Sequence, residues 1–131
     1  MIEQPASKKI LLVDDEEATL SFLARSLTRA GYAVSTAGDG RSALDAVHSE
    51  QPDLIVLDIC LPDMRGEEVK QQLTENKTTQ DIPVIFVTGI LNKDEQHIFE
   101  KLAGKIYALA KPVDIEELLS TIESVFLDTA Q

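Results

Sequence analysis

The stretch Lys9-Ile10-Leu11-Leu12-Val13-Asp14-Asp15-Glu16-Glu17 runs four apolar residues straight into four carboxylates. An apolar run this short, rich in branched residues, reads as a buried strand rather than a helix. Adjacent carboxylates repel one another and favour water, so a core strand that ends on them needs an explanation. Downstream, from about Glu16 to Ala30, the residues Leu20, Leu23, Ala24 and Leu27 fall at i, i+3, i+4 and i+7. That is a helical stripe, and Gly31 ends it. Tyr32 to Thr36 reads as a second short strand closed by Gly38-Asp39-Gly40, and Ala43, Leu44 and Val47 mark a helix from roughly Arg41 to Ser49.

The alternation continues. Asp53 to Asp58 (DLIVLD), entered after Pro52, is a nearly continuous apolar strand, and a loop with Pro62 and Gly66 leads to a modest helix carrying Val69 and Leu73. Ile82 to Gly89 (IPVIFVTG) is a fourth strand, about Asn92 to Ala103 a weak helix, and Ile106 to Leu109 a short fifth strand. Ile115, Leu118, Leu119, Ile122 and Val125 or Phe126 then give the clearest amphipathic helix. Five strands alternating with five helices specify a parallel sheet covered on both faces, a doubly wound (βα)5 sandwich of the α/β class. Strands one, three and four are apolar throughout, as central parallel strands are. Residues 1–7 and 128–131 read as tails around one domain, 8–127.

Composition narrows the function. The 131 residues are 44% hydrophobic and 27% charged, with a formal net charge of −11. One ordinary domain fits that length, and an acidic chain lacks the basic face that nucleic acid or an anionic membrane requires. The single cysteine excludes an internal disulfide or a cysteine-rich metal site. No apolar run is long enough to span a bilayer and no signal-peptide pattern opens the chain, so a cytoplasmic location is expected.

Ligands of such sheets sit outside the carboxyl ends of the strands. Strand one delivers Asp14 and Asp15 to that edge, strand three Asp58, strand four Thr88, and strand five Lys111 just before Pro112. Taken singly, each has a plainer reading. Asp14 would cap the first helix, Thr88 would be an ordinary strand residue, and Lys111 would be solvated. Together they place three carboxylates, one hydroxyl and one ammonium on a single edge.

In that combination the chain resembles the response regulator receiver domains of two-component signalling, from about Lys9 to Leu127. The resemblance rests on the acid pair Asp14-Asp15, on Asp58, and on "LPDMRG" with Pro62 and Gly66. It is completed by "VTG" with Thr88 and by "KP" at Lys111-Pro112. It implies a flavodoxin-like sheet with strand order 2-1-3-4-5, and Asp58 as a phosphoacceptor fed by a sensor histidine kinase or histidine phosphotransfer protein. Such a domain takes part in its own phosphorylation and slow dephosphorylation, and is no conventional enzyme. The resemblance further implies Mg²⁺ (or Mn²⁺) held by Asp15, Asp58 and the backbone carbonyl of Cys60, with Asp14 acting mostly through water. Mg²⁺ suits this set because it prefers octahedral oxygen ligands and shares its shell with water and phosphate, whereas the Cys60 thiol is the wrong class. Lys111 then offsets charge on the transferring group, Thr88 donates its hydroxyl to it, and Gly89 keeps the approach open. A cis bond before Pro112 is expected to aim Lys111 into the site. Glu16 and Glu17 are expected in the first turn of the helix, facing its positive end.

Departures from the family pattern are specific. The switch aromatic three positions before the lysine is Ala108 here, with Tyr107 one place earlier and therefore on the other face of the strand. Lys105 replaces the alanine that commonly follows the glycine at Gly104. Switching is therefore expected to rely on the loop after Thr88 and the fourth helix. Cys60 and Ile90, two beyond Asp58 and Thr88, are poorly suited to orient water, so slow self-dephosphorylation is expected. His48 and His97 read as structural or surface residues.

Other classes fit less well. An aspartate-nucleophile phosphatase wants a second acid where Cys60 stands, and a flavin-binding domain wants a phosphate loop after strand one. A phosphorylation-independent pseudo-receiver remains the alternative. The family's dimer surface, the fourth helix, fifth strand and fifth helix, makes Ile98, Phe99 and the ends of the last helix candidates for a homodimer. The output domain or effector is not legible, so the sequence reads as a stand-alone regulator or the receiver portion of a longer one.

Overall fold

Every apolar run singled out above becomes a strand of one parallel sheet. The computed structural model describes residues 7–89 and 107–129. The strands are β1 (Lys9–Val13), β2 (Ala33–Ala37), β3 (Leu54–Asp58), β4 (Val84–Thr88) and β5 (Tyr107–Ala110). Between them run α1 (Glu17–Arg29), α2 (Gly40–Glu50) and α3 (Gly66–Thr74), and a last helix covers Ile115–Thr129. The helix expected over 92–103 lies outside the described residues, as do His97, Ile98, Phe99, Gly104, Lys105 and Ile90.

The sheet order is β2-β1-β3-β4-β5, with every pairing parallel. Strand alternation divides the core in two. Leu11, Val13, Ile55, Leu57 and Phe86 pack with α2 and α3 through Val47, Val69 and Leu73. Ile10, Leu12, Val56, Ile85 and Val87 pack with α1 and the last helix through Leu23, Leu27, Leu118 and Ile122. Side chains buried this fully contribute about 1.5–3 kcal/mol each relative to exposure.

The ends of elements shift by a residue or two from the expected ones, as helix and strand ends do. Two shifts carry information. The last helix continues to Thr129, two residues into the expected tail, and Asp128 on it accepts a hydrogen bond from the Tyr107 hydroxyl. Of Val125 and Phe126, Val125 is fully buried, while Phe126 lies at the core margin, its ring 6.3 Å from that of Tyr32. Gly31 closes α1 at φ +103°, a conformation side chains disfavour. Gln51 closes α2 in the left-handed region without being glycine. No described helix is long and apolar enough to cross a membrane.

Candidate functional site

Parallel register gathers the strand ends. Val13 lies opposite Leu57, Asp58 opposite Val87, and Thr88 opposite Ala110, so residues at these positions share one edge. The ladder also runs one step beyond the strands. Asp14 N–H donates to the Ala37 carbonyl at 3.1 Å, Ile59 N–H to Val87 at 3.1 Å, and Lys111 N–H to Thr88 at 2.7 Å. Site residues just past a strand are thus fixed by backbone bonds on rigid elements.

There Asp14, Asp58 and Thr88 are buried, while Asp15 is exposed. Asp14, Asp15 and Asp58 each offer an oxygen within 4.8 Å of the others. At an effective dielectric near 20, two unit charges at that separation repel by about 3.5 kcal/mol. Lys111 supplies the local counter-charge: its Nζ lies 2.9 Å from Asp14 Oδ2 and 3.1 Å from Asp58 Oδ2. One ammonium against three carboxylates leaves a net negative pocket of hard oxygen donors. Such a donor set fits Mg²⁺ or Mn²⁺.

The protonation states follow. Burial pushes the Asp58 carboxyl above its usual range, against hydrogen bonds from Lys111 and the Cys60 N–H, with the Asp14 charge adding to the rise. Burial disfavours the Lys111 ammonium, but hydrogen bonds to Asp14 and Asp58, with their charges, outweigh it and hold its pKa above the usual lysine range.

The β3–α3 loop completes the site. Cys60 N–H donates to Asp58 Oδ1 at 3.2 Å, while its side chain is exposed. Cys60 and Arg65 pair as an isolated antiparallel bridge, and Gly66 N–H donates to the Ile59 carbonyl at 2.8 Å, closing the loop at its base. Gly66 has a physical reason to be glycine. A Cβ there would lie 2.7 Å from the Asp58 carbonyl oxygen and 3.0 Å from Ile59 Cα, both backbone atoms. Beside it, Arg65 Nε donates to Glu67 Oε1, and Glu67 Oε2 is buried without a hydrogen-bond partner among the described residues.

Thr88 is brought to the edge next to Asp58, and the Lys111-Pro112 bond is cis as expected. Gly89 follows Thr88 at the same edge. Among the described residues, a Cβ at Gly89 would meet nothing within 4 Å. Ala108 is exposed, and Tyr107 turns to the opposite face, half-buried against the layer of α1 and the last helix. The plainer reading of Asp14, as the cap of α1, does not describe it. Its Oδ1 accepts from Glu16 N–H at 2.9 Å, and Glu16 is itself the N-cap residue.

Sequence reasoning missed two residues. Local pattern places Glu16 with the helix alone, yet its Oε1 lies 3.7 Å from Lys111 Nζ, at the rim of the site. No motif gives Asp63 a role, but its carboxylate accepts from Gly40 N–H at 2.8 Å and Arg41 N–H at 2.9 Å. Its place in a turn-forming stretch was visible, but not its partners 22 and 23 residues earlier. Beside Lys111, a groove of about 550 Å³ is lined by Phe22, Leu23, Pro112 and Val113 among others.

A five-stranded parallel sheet with an acidic, lysine-closed carboxyl edge defines a flavodoxin-like α/β domain. Residues 10–123 match the family model of the response regulator receiver domain, and the chain belongs to that family. It is 46% identical over 98 residues to the alkaline phosphatase synthesis transcriptional regulatory protein PhoP of Bacillus subtilis, covering 75% of this chain and 38% of that protein. It is 38% identical over 125 residues to the response regulator MprA of Mycolicibacterium vanbaalenii, covering 92% and 51%. The chain thus spans about half or less of the length of these relatives. Among solved structures, a CheY-like receiver domain protein from Methanospirillum hungatei superimposes with a TM-score of 0.86 at 30% identity, covering 95% of this chain and 98% of that one. The chemotaxis protein CheY4 of Vibrio cholerae gives 0.84 at 30% identity, covering 92% and 99%.

Proposed function

We propose that this domain is a phosphorylation-controlled switch in which Asp58 accepts a phosphoryl group from a phosphohistidine on a sensor histidine kinase or phosphotransfer protein. The observation that carries the reading is the pairing of buried Asp58 with Lys111 at 3.1 Å inside an acidic cluster. An Asp58 carboxylate oxygen attacks phosphorus, the P–N bond breaks, and the donor imidazole leaves with the bonding electron pair. Catalysis of such a transfer is positioning and charge stabilisation. Lys111 stabilises charge on the transferring oxygens, exchanging part of its contact with Asp58 for contact with the phosphoryl group. The Thr88 hydroxyl donates to one of those oxygens. Asp14, Asp15, Asp58 and the Cys60 carbonyl would hold Mg²⁺ or Mn²⁺, which supplies the positive charge that Lys111 alone does not.

The donor approaches over the edge that carries Asp58, beside the groove next to Lys111. The domain is a reactant in its own phosphorylation and slow dephosphorylation, not a turnover enzyme. It acts in the cytoplasm on an output domain or effector protein. With Ala108 at the aromatic's place, switching uses the loop after Thr88 and the segment that follows, and the homodimer surface of the family lies on that side. The test is incubation with acetyl phosphate and Mg²⁺, read by intact mass. Wild type gains one phosphoryl group and Asp58→Asn gains none. Absence of any gain in wild type would favour the pseudo-receiver reading instead.

A further inference from the structure

The β3–α3 loop carries a clamp at its tip that the chemistry at its base does not explain. The amides of Gly40, Arg41 and Ser42 precede the first intrahelical bond of α2, from Ala43 N–H to the Asp39 carbonyl at 3.0 Å, and need partners elsewhere. Asp39, the N-cap residue, takes the Ser42 N–H on its side chain at 2.7 Å. The two remaining, Gly40 and Arg41, are taken by Asp63 from across the fold, one on each carboxylate oxygen, at 2.8 and 2.9 Å. The next residue, Met64, lies directly over Gly40, so close that a Cβ at Gly40 would fall 2.2 Å from Met64 Cγ. Two consecutive loop residues therefore dock on the start of α2, by charge-assisted bonds and by packing.

The other end of this loop is the site. Cys60 and Arg65 pair across its base, and Cys60 N–H holds Asp58 Oδ1. Asp63 lies only three positions after Cys60, at most about 10 Å of extended chain. A closed loop that short transmits the position of its tip to its base. We propose that Asp63 is a positioning residue for the acidic edge: by clamping the loop tip onto the first two amides of α2, it fixes where the loop presents the Cys60 carbonyl to a divalent cation. This rests on the divalent-cation reading of the site given above. The clamp ties the carboxyl side of β3 to that of β2, although β2 itself contributes no side chain to the acidic cluster.

The competing account is that Asp63 merely caps α2. Asp39→Ala is the matched control, because it removes a cap from the same helix end without touching the loop. Wild type, Asp63→Ala and Asp39→Ala are compared by Mg²⁺ calorimetry and by hydrogen exchange of the Cys60 and Gly66 amides in Mg²⁺-free buffer. Losing a residue that orients a metal ligand weakens affinity by roughly 10–100-fold. The lower end, about 10-fold, is expected for Asp63→Ala, together with faster exchange at both amides, and neither change is expected for Asp39→Ala. Equal effects of the two variants on both readouts would reduce Asp63 to a cap and overturn the proposal. So would faster exchange in Asp63→Ala with unaltered Mg²⁺ affinity. If wild type takes up no Mg²⁺ while the loop amides still respond to Asp63→Ala alone, the clamp stands and the cation reading of the site falls.

Discussion

Gly66→Ala is the most direct probe of how tightly the site is built. The added Cβ would lie 2.7 Å from the Asp58 carbonyl oxygen, 0.7 Å inside the 3.4 Å of ordinary contact, and 3.0 Å from Ile59 Cα. Both obstacles are backbone, so no side chain can rotate away. Either the start of α3 or the end of β3 must yield by roughly half an ångström or more. Overpacking of this kind costs about 1–3 kcal/mol, and the helix-propensity gain of alanine returns at most about 1 kcal/mol. Because both obstacles are main chain, the cost lies in the upper part of that range, about 2–3 kcal/mol, and the net loss is about 1–2 kcal/mol. With a urea m-value of about 1.5 kcal/mol/M, the unfolding midpoint falls by about 1 M.

Because the obstacle is the main chain of Asp58 itself, the same shift disturbs phosphorylation. A misplacement approaching 1 Å costs up to about 100-fold in a positioned reaction, so a fall of about tenfold in phosphorylation by acetyl phosphate is expected. Gly38→Ala is the control, since its Cβ meets only the Asp14 carbonyl oxygen at 4.0 Å. Far-UV circular dichroism in urea and intact-mass time courses read the two effects. A Gly66→Ala midpoint within about 0.2 M of wild type, with an unchanged phosphorylation rate, would show that the close approach is not required.

Three further outcomes follow from the charge cluster and its surroundings. The folded-state pKa of Asp58 is raised above 3.8, so the native state holds its proton to higher pH than the unfolded chain, and folding loses stability as pH rises through that window. Asp58→Asn therefore raises the Mg²⁺-free urea midpoint at pH 7, by a margin that shrinks towards pH 4; a margin independent of pH would contradict the burial argument. Lys111→Met removes the counter-charge that pairs with Asp14 and Asp58. It costs about 2–3 kcal/mol without metal, below the usual range for breaking a fully buried pair because Lys111 is partly exposed. Added Mg²⁺ then stabilises the variant more than wild type in thermal melts, and equal stabilisation of both would argue that Lys111 is not what balances the acids. Finally, Cys60→Asn accelerates loss of the phosphoryl group from Asp58 by giving an amide to orient water; identical decay curves would remove Cys60 from the account of phosphate lifetime.

The layered architecture and most of the acidic edge are legible in local pattern. Apolar runs such as Ile10–Val13 and Leu54–Leu57 and the helical stripe from Leu20 to Leu27 are set by neighbours within a few residues, so their periodicity is legible directly. Once strands are parallel, whatever follows each one must meet at a common edge. Asp14, Asp15, Asp58, Thr88 and Lys111 could therefore be grouped without coordinates, and Tyr107 assigned to the face opposite Ala108. Contacts between segments whose relative approach no local pattern encodes emerge only when the elements pack. Glu16 leans to Lys111 as well as opening α1. Asp63 finds amides 22 and 23 residues away, and Tyr107 finds Asp128 at the far end of the last helix. Gly66 is glycine because of the main chain of Asp58. Periodicity fixes which face a residue takes; only packing fixes which distant group it meets there.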